Sequence, residues 1–206
     1  VLAIDHGWRK IELAGCAVRG AAATPVEEAM RTINEQLSNY AAYHRDRRNI
    51  ATHFVGIPMI VVAVATLLSR PNFGSWMGLA LTPALVLSLA VAAYYLLLDL
   101  RFGLVMSSLL ALSLLAGQWL SEQGTSAWLL SGIGLFVIGW IFQFVGHYYE
   151  GRKPAFVDDL MGLIIGPLFV VAETAFALGL RQTLRQDIER KVGPTHLRDI
   201  AAAKTA

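Results

Sequence analysis

Charge is what this sequence has least of. Only 16% of its 206 residues are charged, against roughly 25% in an average soluble chain. An ordinary soluble domain and a disordered chain are both excluded. The 17 Lys and Arg against 15 Asp and Glu leave a net charge of +2, with no basic excess of the kind that holds nucleic acid. The single cysteine, Cys16, has no partner for an internal bridge or a zinc-binding pair. There is no Walker loop and no Gly-x-Ser-x-Gly nucleophile elbow. No strand-length alternation stands out, which argues against a β-barrel. Apolar residues, by contrast, make up 55% of the chain and the mean hydropathy is +0.52. This is the composition of an integral membrane protein.

A span needs about 20 mostly apolar residues, because about 30 Å of hydrocarbon is covered at 1.5 Å per residue. Five runs qualify as candidates: Phe54–Ser69, Trp76–Leu98, Phe102–Leu120, Ala127–Gly146 and Leu160–Leu180. The last is interrupted by Gly166-Pro167 and carries Glu173. Trp76, Tyr94, Tyr95, Trp119, Trp128 and Trp140 lie mostly near run ends, as interfacial aromatics do. Gly132, Gly134 and Gly139 read as tight helix packing, since no strand flanks them to make a nucleotide loop. Before the first run, Val1–Thr24 shows no period and no apolar core of signal-peptide length. Residues 1–29 read as an extension of uncertain order. A helix is expected over Pro25–Arg48, entered at Thr24-Pro25 with Glu27 and Glu28 in its first turn. A polar surface helix is expected after Leu180, ending at Gly193-Pro194, so that residues 30–180 form the membrane domain and 181–206 a tail.

Topology follows from the basic residues. Seven precede the first run and six follow the fifth, while the connections carry Arg70, then Arg101, then Arg152 with Lys153. Five spans would put the two basic ends on opposite sides. Four spans plus a discontinuous or re-entrant fifth segment leave Arg70 alone outside. The expected fold is therefore all-α and polytopic, with four transmembrane helices and a broken fifth segment. A bacterial inner membrane, or the endoplasmic reticulum of a eukaryote, is the expected setting.

An even number of crossings separates the start of span one from the end of span four, so both lie on the same face, expected to be cytoplasmic. That face gathers His44, His53 and His147, with Asp46 and Glu150 near them in sequence. Ionisable groups at a membrane edge are costly and more often functional than those on a soluble surface, and three imidazoles make a metal site. The bland alternative is that they cap carbonyls or meet headgroups. His44 and His53 are nine residues apart, which at about 100° per residue points them in opposite directions on one straight helix. A shared ion requires a break between them, for which Asn49 is a reasonable N-cap. His147 and Glu150 are i,i+3 neighbours and face one side without any bend. Arg45, Arg47 and Arg48 read first as an anionic-headgroup anchor and second as a carboxylate-binding cluster. Asp158-Asp159 reads as a helix cap or, less simply, as metal ligands. Glu173 reads as a group lining a polar cavity or hydrogen-bonding within the bundle. His6 and His196 lie in polar stretches and receive no role. Imidazoles alone suit Zn(II), Fe(II) or Ni(II).

Two patches carry a family resemblance. The first is Tyr43-His44, Asn49, His53, Gly56 and Pro58; the second is Gln143, Gly146-His147, Glu150, Pro154-Ala155 and Asp159 ahead of an apolar run. Together, over about Met30–Leu180, they resemble the small membrane-bound 2-hydroxy fatty acid dioxygenases first given a function in fungal phytosphingosine breakdown. The resemblance implies an Fe(II) enzyme that uses O2 to cleave C1–C2 of a long-chain 2-hydroxy fatty acid, giving CO2 and the acid one carbon shorter. It implies His44, His53 and His147 as the essential histidines. Asp46 or Glu150 would complete the metal shell, orient a histidine or take the hydroxyl proton. Asn49, Arg48, Arg152 and Lys153 are the expected substrate contacts. The overall conversion is a four-electron oxidation matched by the four electrons O2 accepts, so no other reductant is needed. The rival readings are a non-catalytic membrane lipid- or metal-binding protein, or an iron oxygenase acting on another lipid. Oligomeric state is not legible.

Overall fold

The computed structural model describes residues 32–76 and 79–200. The extension expected over residues 1–29, with the helix entry at Thr24-Pro25, lies outside them. Among the described residues seven helices follow in order: α1 (Ile33–Ala41), α2 (Arg47–Ser69), α3 (Pro83–Leu98), α4 (Leu100–Glu122), α5 (Thr125–Glu150), α6 (Gly162–Ala177) and α7 (Gln182–Val192). A two-residue antiparallel pair, Ser75–Trp76 with Leu79–Ala80, joins α2 to α3, and a 3₁₀ turn at Ala155–Val157 precedes α6.

Three of these helices, α2, α4 and α5, are long and apolar enough to cross a membrane. The fourth apolar helix, α3, has 16 residues, about 24 Å of rise. It is shorter than the run Trp76–Leu98 because Thr82 caps it, accepting from the Leu85 amide at 3.2 Å, with Pro83 at its first position. Apolar side chains on these helices face outward: Leu97 is 89% exposed and Leu130 76%. Polar side chains are buried instead, His44, Asp46 and Asn49 each at 0%. That inversion is what a lipid solvent selects, and the chain is a polytopic α-helical membrane protein.

The bundle is built around α2, which packs most extensively on α5 and then on α4. Small residues allow the close approach. A Cβ on Gly56 would meet the Gly139 carbonyl at 2.6 Å, and one on Gly139 would meet the Gly56 carbonyl at 2.8 Å. The glycines of α5 thus serve packing, as expected, except that Gly134 faces open space.

The fifth apolar segment is where expectation and structure part. Helix α6 runs through Gly166-Pro167 without a break. The discontinuity comes later, where the chain turns by 115° between α6 and α7, through Gly179 and Arg181 in left-handed conformation. Proline removes the hydrogen bond to the carbonyl four residues back, here Leu163, which lines a cleft; glycine's freedom at φ > 0 makes the real corner. Both ends of α6 are tied to the same end of the bundle. Asp158 accepts from the Tyr43 hydroxyl at 2.8 Å before it, and Arg181 grips Asp99 at 2.7 Å after it. Midway, Glu173 pairs with Arg45 at 3.9 Å. Tyr43, Arg45 and Asp99 all belong to the end where α2 begins and α3 ends, so the chain enters and leaves α6 at that end, while Pro167, Val170 and Val171 reach Val61 and Val62 of α2. The polar tail forms α7 as expected, ending at Gly193, and packs back on α1.

Candidate metal centre

The break that a common histidine site requires is present, but it falls at Tyr43–Asp46 rather than at Asn49. Helix α1 opens with a capping box between Thr32 and Glu35 and ends at Ala41. Helix α2 restarts with Asp46 as N-cap, its carboxylate accepting from the Arg48 amide at 2.8 Å. Asp46 is the better cap here because its second oxygen also accepts from the Arg198 amide at 2.8 Å. Asn49 sits inside the first turn of α2, fully buried, and donates to Glu150 at 2.9 Å and to the Tyr43 carbonyl at 3.2 Å. His44 therefore belongs to the loop and His53 to α2, and the two rings meet.

One ring nitrogen from each of His44, His53 and His147 lies within 4.8 Å of the other two. Ring centroids are 4.5, 4.9 and 5.2 Å apart, and all three residues are buried. The tautomers follow from their partners. His44 Nδ1 stands 2.7 Å from the Tyr40 carbonyl and His53 Nδ1 2.9 Å from the Asn49 carbonyl. A carbonyl only accepts, so each Nδ1 carries the proton and donates. Both Nε2 atoms are then bare lone pairs, and they face one another at 3.0 Å. Two neutral imidazoles repel in that arrangement unless a cation lies between them. The Nδ1 of His147 is likewise buried, with no hydrogen-bond partner among the described residues.

This donor set fits a divalent transition metal. Ligands each about 2.1 Å from one ion stand about 3.0–3.4 Å apart at angles from about 90° to tetrahedral, and the two Nε2 atoms are 3.0 Å apart. Burial, then the neighbouring His53 ring, holds the His44 imidazole well below its ordinary range, so it is the neutral form that binds metals. The Tyr40 ring stacks on His44 at 4.0 Å and 4°, and Phe169 of α6 flanks both rings.

The two acidic residues do other work. Glu150, at the end of α5, accepts from the backbone amides of Arg45 at 3.0 Å and Asp46 at 2.9 Å as well as from Asn49. It caps the start of α2 from across the bundle. Asp46 holds the Arg48 guanidinium at 2.7 Å. Burial alone would raise the Asp46 carboxyl, but its hydrogen bonds to Arg48 and to the Arg198 amide bring it down to about 2. Neither joins the histidine cluster. Gly146 makes room for the junction, since a Cβ there would collide with Thr52 Oγ1 and Asn49 Oδ1.

The expected substrate contacts are also engaged. Arg48 donates to the Arg198 carbonyl at 2.7 Å and lies over the Tyr149 ring at 4.7 Å. Arg152 donates to the Ala42 carbonyl at 2.8 Å, and Lys153 pairs with Asp158 at 2.6 Å. The Lys153 ammonium and the Tyr43 hydroxyl hold the Asp158 carboxyl below its ordinary value. Asp159 accepts from the Met161 amide at 2.8 Å, consistent with a role at the start of α6. Arg45 is buried, donating to the Ala41, His44 and Gly193 carbonyls.

Sequence reasoning missed the tail. Residues 193–198 strap the histidine loop: the His196 amide donates to the Arg45 carbonyl at 2.9 Å, and the Arg47 amide donates to the His196 carbonyl at 3.0 Å. These are backbone contacts and leave no side-chain signature. Beside His147 a cleft of about 70 Å³ opens, lined by Tyr40, Ile57, Trp140, Gln143, Phe156 and Leu163 among others.

No solved structure matches the chain. A Saccharomyces cerevisiae protein named 2-hydroxy-palmitic acid dioxygenase MPO1 is 36% identical over 170 residues, covering 80% of this chain and 94% of its own length. The family model described as 2-hydroxy-palmitic acid dioxygenase Mpo1-like matches residues 30–178, a stretch that contains every histidine of the cluster, and the chain belongs to that family.

Proposed function

We propose that the protein is a membrane dioxygenase that converts a long-chain 2-hydroxy fatty acid and O2 into the acid one carbon shorter, CO2 and water, with Fe(II) held by His44, His53 and His147. The observation that carries the reading is the pair of Nε2 lone pairs at 3.0 Å with the orphaned His147 Nδ1 beside them, in a chain whose relative is named for this substrate class. Bound there, iron supplies a centre for O2 activation with positions open to substrate, by analogy with other non-haem oxygenases.

The chain's own residues fix the arrangement. Carbonyls of Tyr40 and Asn49 set the two tautomers, and second partners of this kind orient metal-binding rings. Glu150 and Asp46 hold the loop that carries His44, as framework rather than as acid or base. The cleft beside His147, about 70 Å³, holds the head of a 2-hydroxy acid rather than the whole molecule. Its wall at Ile57, Val61 and Pro167 is shared with a second, apolar groove of about 260 Å³ between α2, α4 and α6. An acyl chain fits such surfaces, each buried methylene contributing about 0.8 kcal/mol. Arg152 and Lys153 immediately precede the cleft-lining Pro154 and attract the carboxylate to its mouth, while Arg48 and Asn49 serve the framework. Basic residues crowd this end of the bundle, which supports a cytoplasmic side for it. The working unit extends from about residue 30 through the strap at 193–198.

The test is anaerobic loading of the purified protein with Fe(II), then O2 uptake on addition of 2-hydroxypalmitate. Uptake that is abolished by chelation, and by His→Ala at each of the three positions, supports the proposal. Iron bound with substrate and O2 both untouched overturns it.

A further inference from the structure

One buried polar side chain in the cleft has no partner. Gln143 is 5% exposed, and its Nε2 is buried with no hydrogen bond among the described residues. An amide left this way inside a membrane helix is costly. The fold nevertheless keeps space for it: Gly56 of α2 has no side chain, and a Cβ there would collide with the Gln143 amide. Gln143 lies four residues, about 6 Å of rise, from His147 on the same face of α5. Trp140 follows one position short of a further turn, also lining the cleft. Descending α5 from the end of the bundle, the side chains that line the cleft are therefore an imidazole, an amide whose donor is packed against Gly56, and an indole. A long-chain 2-hydroxy acid presents the matching order of carboxylate, hydroxyl and alkyl chain.

Resting on the proposed activity, we infer that Gln143 is a substrate-binding residue whose Nε2–H donates a hydrogen bond to an oxygen of the α-hydroxy-carboxylate head. It meets the polar head and not the tail, so it sets affinity for the head independently of chain length. The cleft walls, Trp140 among them, read the chain.

The experiment measures anaerobic binding of 2-hydroxy acids of twelve, fourteen and sixteen carbons to the Fe(II)-loaded protein in nanodiscs, by equilibrium dialysis. Expected for Q143L is a loss of roughly 10-fold or more in affinity, the cost of removing a hydrogen bond to a charged or polar head. The loss is the same factor for all three acids, with iron content equal to wild type. W140A instead changes the dependence on chain length. Q143L binding as tightly as wild type overturns the inference alone. So does a penalty that varies with chain length, which would make Gln143 a tail contact, or a loss of iron, which would make it a support for His147. If Q143L does not fold, the isosteric Q143E is used: its carboxylate opposes the head's own charge, so weaker binding than wild type is expected and unchanged binding overturns the inference. Wild type failing to bind any of the three acids removes the parent reading as well.

Discussion

Replacing Glu150 separates a structural carboxylate from a chemical one. In the folded protein its oxygens accept from the Arg45 amide, the Asp46 amide and the Asn49 Nδ2, all at 2.9–3.0 Å, and Glu150 is 9% exposed. E150A strands three buried donors, each costing about 1–3 kcal/mol when left unmade, so roughly 3–6 kcal/mol is lost after partial relaxation. At about 2–4 °C per kcal/mol for a chain of this length, the melting temperature in detergent falls by roughly 10 °C or more. Metal retention falls with it, because the loop carrying His44 is released. E150Q keeps one oxygen for the donors, and the penalty shrinks to the charge-assisted part of the bonds, about 1–2 kcal/mol. Its kcat on the metal-loaded enzyme stays within a few-fold of wild type. The assay pairs thermal denaturation with metal analysis and turnover at saturating substrate. E150Q that keeps its stability and metal but loses turnover about 100-fold would refute the reasoning and make Glu150 an acid, base or ligand.

Three further outcomes follow from the packing and the electrostatics. G146A drives a methyl group into Thr52 and Asn49 and lowers both melting temperature and metal content, whereas G134A, in open space, is neutral or stabilising by up to about 1 kcal/mol; equal effects at both positions would contradict the α2–α5 junction. Removing residues 194–206 takes away the His196 and Arg198 contacts to the histidine loop and weakens metal affinity roughly 10-fold or more, read by competition with a chelator, while an unchanged affinity would make the strap dispensable. For Asp99, burial alone would raise the carboxyl, but Arg181 and the Phe102 and Arg101 amides hold it below its ordinary value. Its contribution is therefore complete above the unfolded carboxylate range and lost as pH falls through the lower folded value. The difference in melting temperature between wild type and D99N is expected in full at about pH 6 and narrows as the pH falls below the ordinary carboxylate range; a constant difference would deny the ion pair.

The membrane character and the order of apolar segments were legible because twenty-residue apolar runs have few other uses. The need for a break between His44 and His53 was legible from helix geometry alone. Its position was not, because Asp46 and Asn49 are both good caps, and the choice depends on the Arg198 amide from the far end of the chain. The corner after α6 was misplaced at Gly166-Pro167 because proline looks like a breaker from sequence. In the fold the helix continues past it, and positive φ at Gly179 and Arg181 makes the turn. The strap at 193–198 was invisible because it is made largely from backbone. Gln143 was part of the second motif, but its lack of a partner is a three-dimensional fact.

The central claim is that this histidine cluster, loaded with Fe(II), releases C1 of a 2-hydroxy acid as CO2. The most direct measurement supplies 2-hydroxypalmitate carrying ¹³C at C1 to the iron-loaded protein in a sealed cell and follows gas and acid together. The account predicts one O2 consumed per acid, ¹³CO2 released and unlabelled pentadecanoic acid formed, with none of these when His53 is replaced by alanine. Retention of the label in a sixteen-carbon product, or an unchanged yield from the His53 variant, would contradict it.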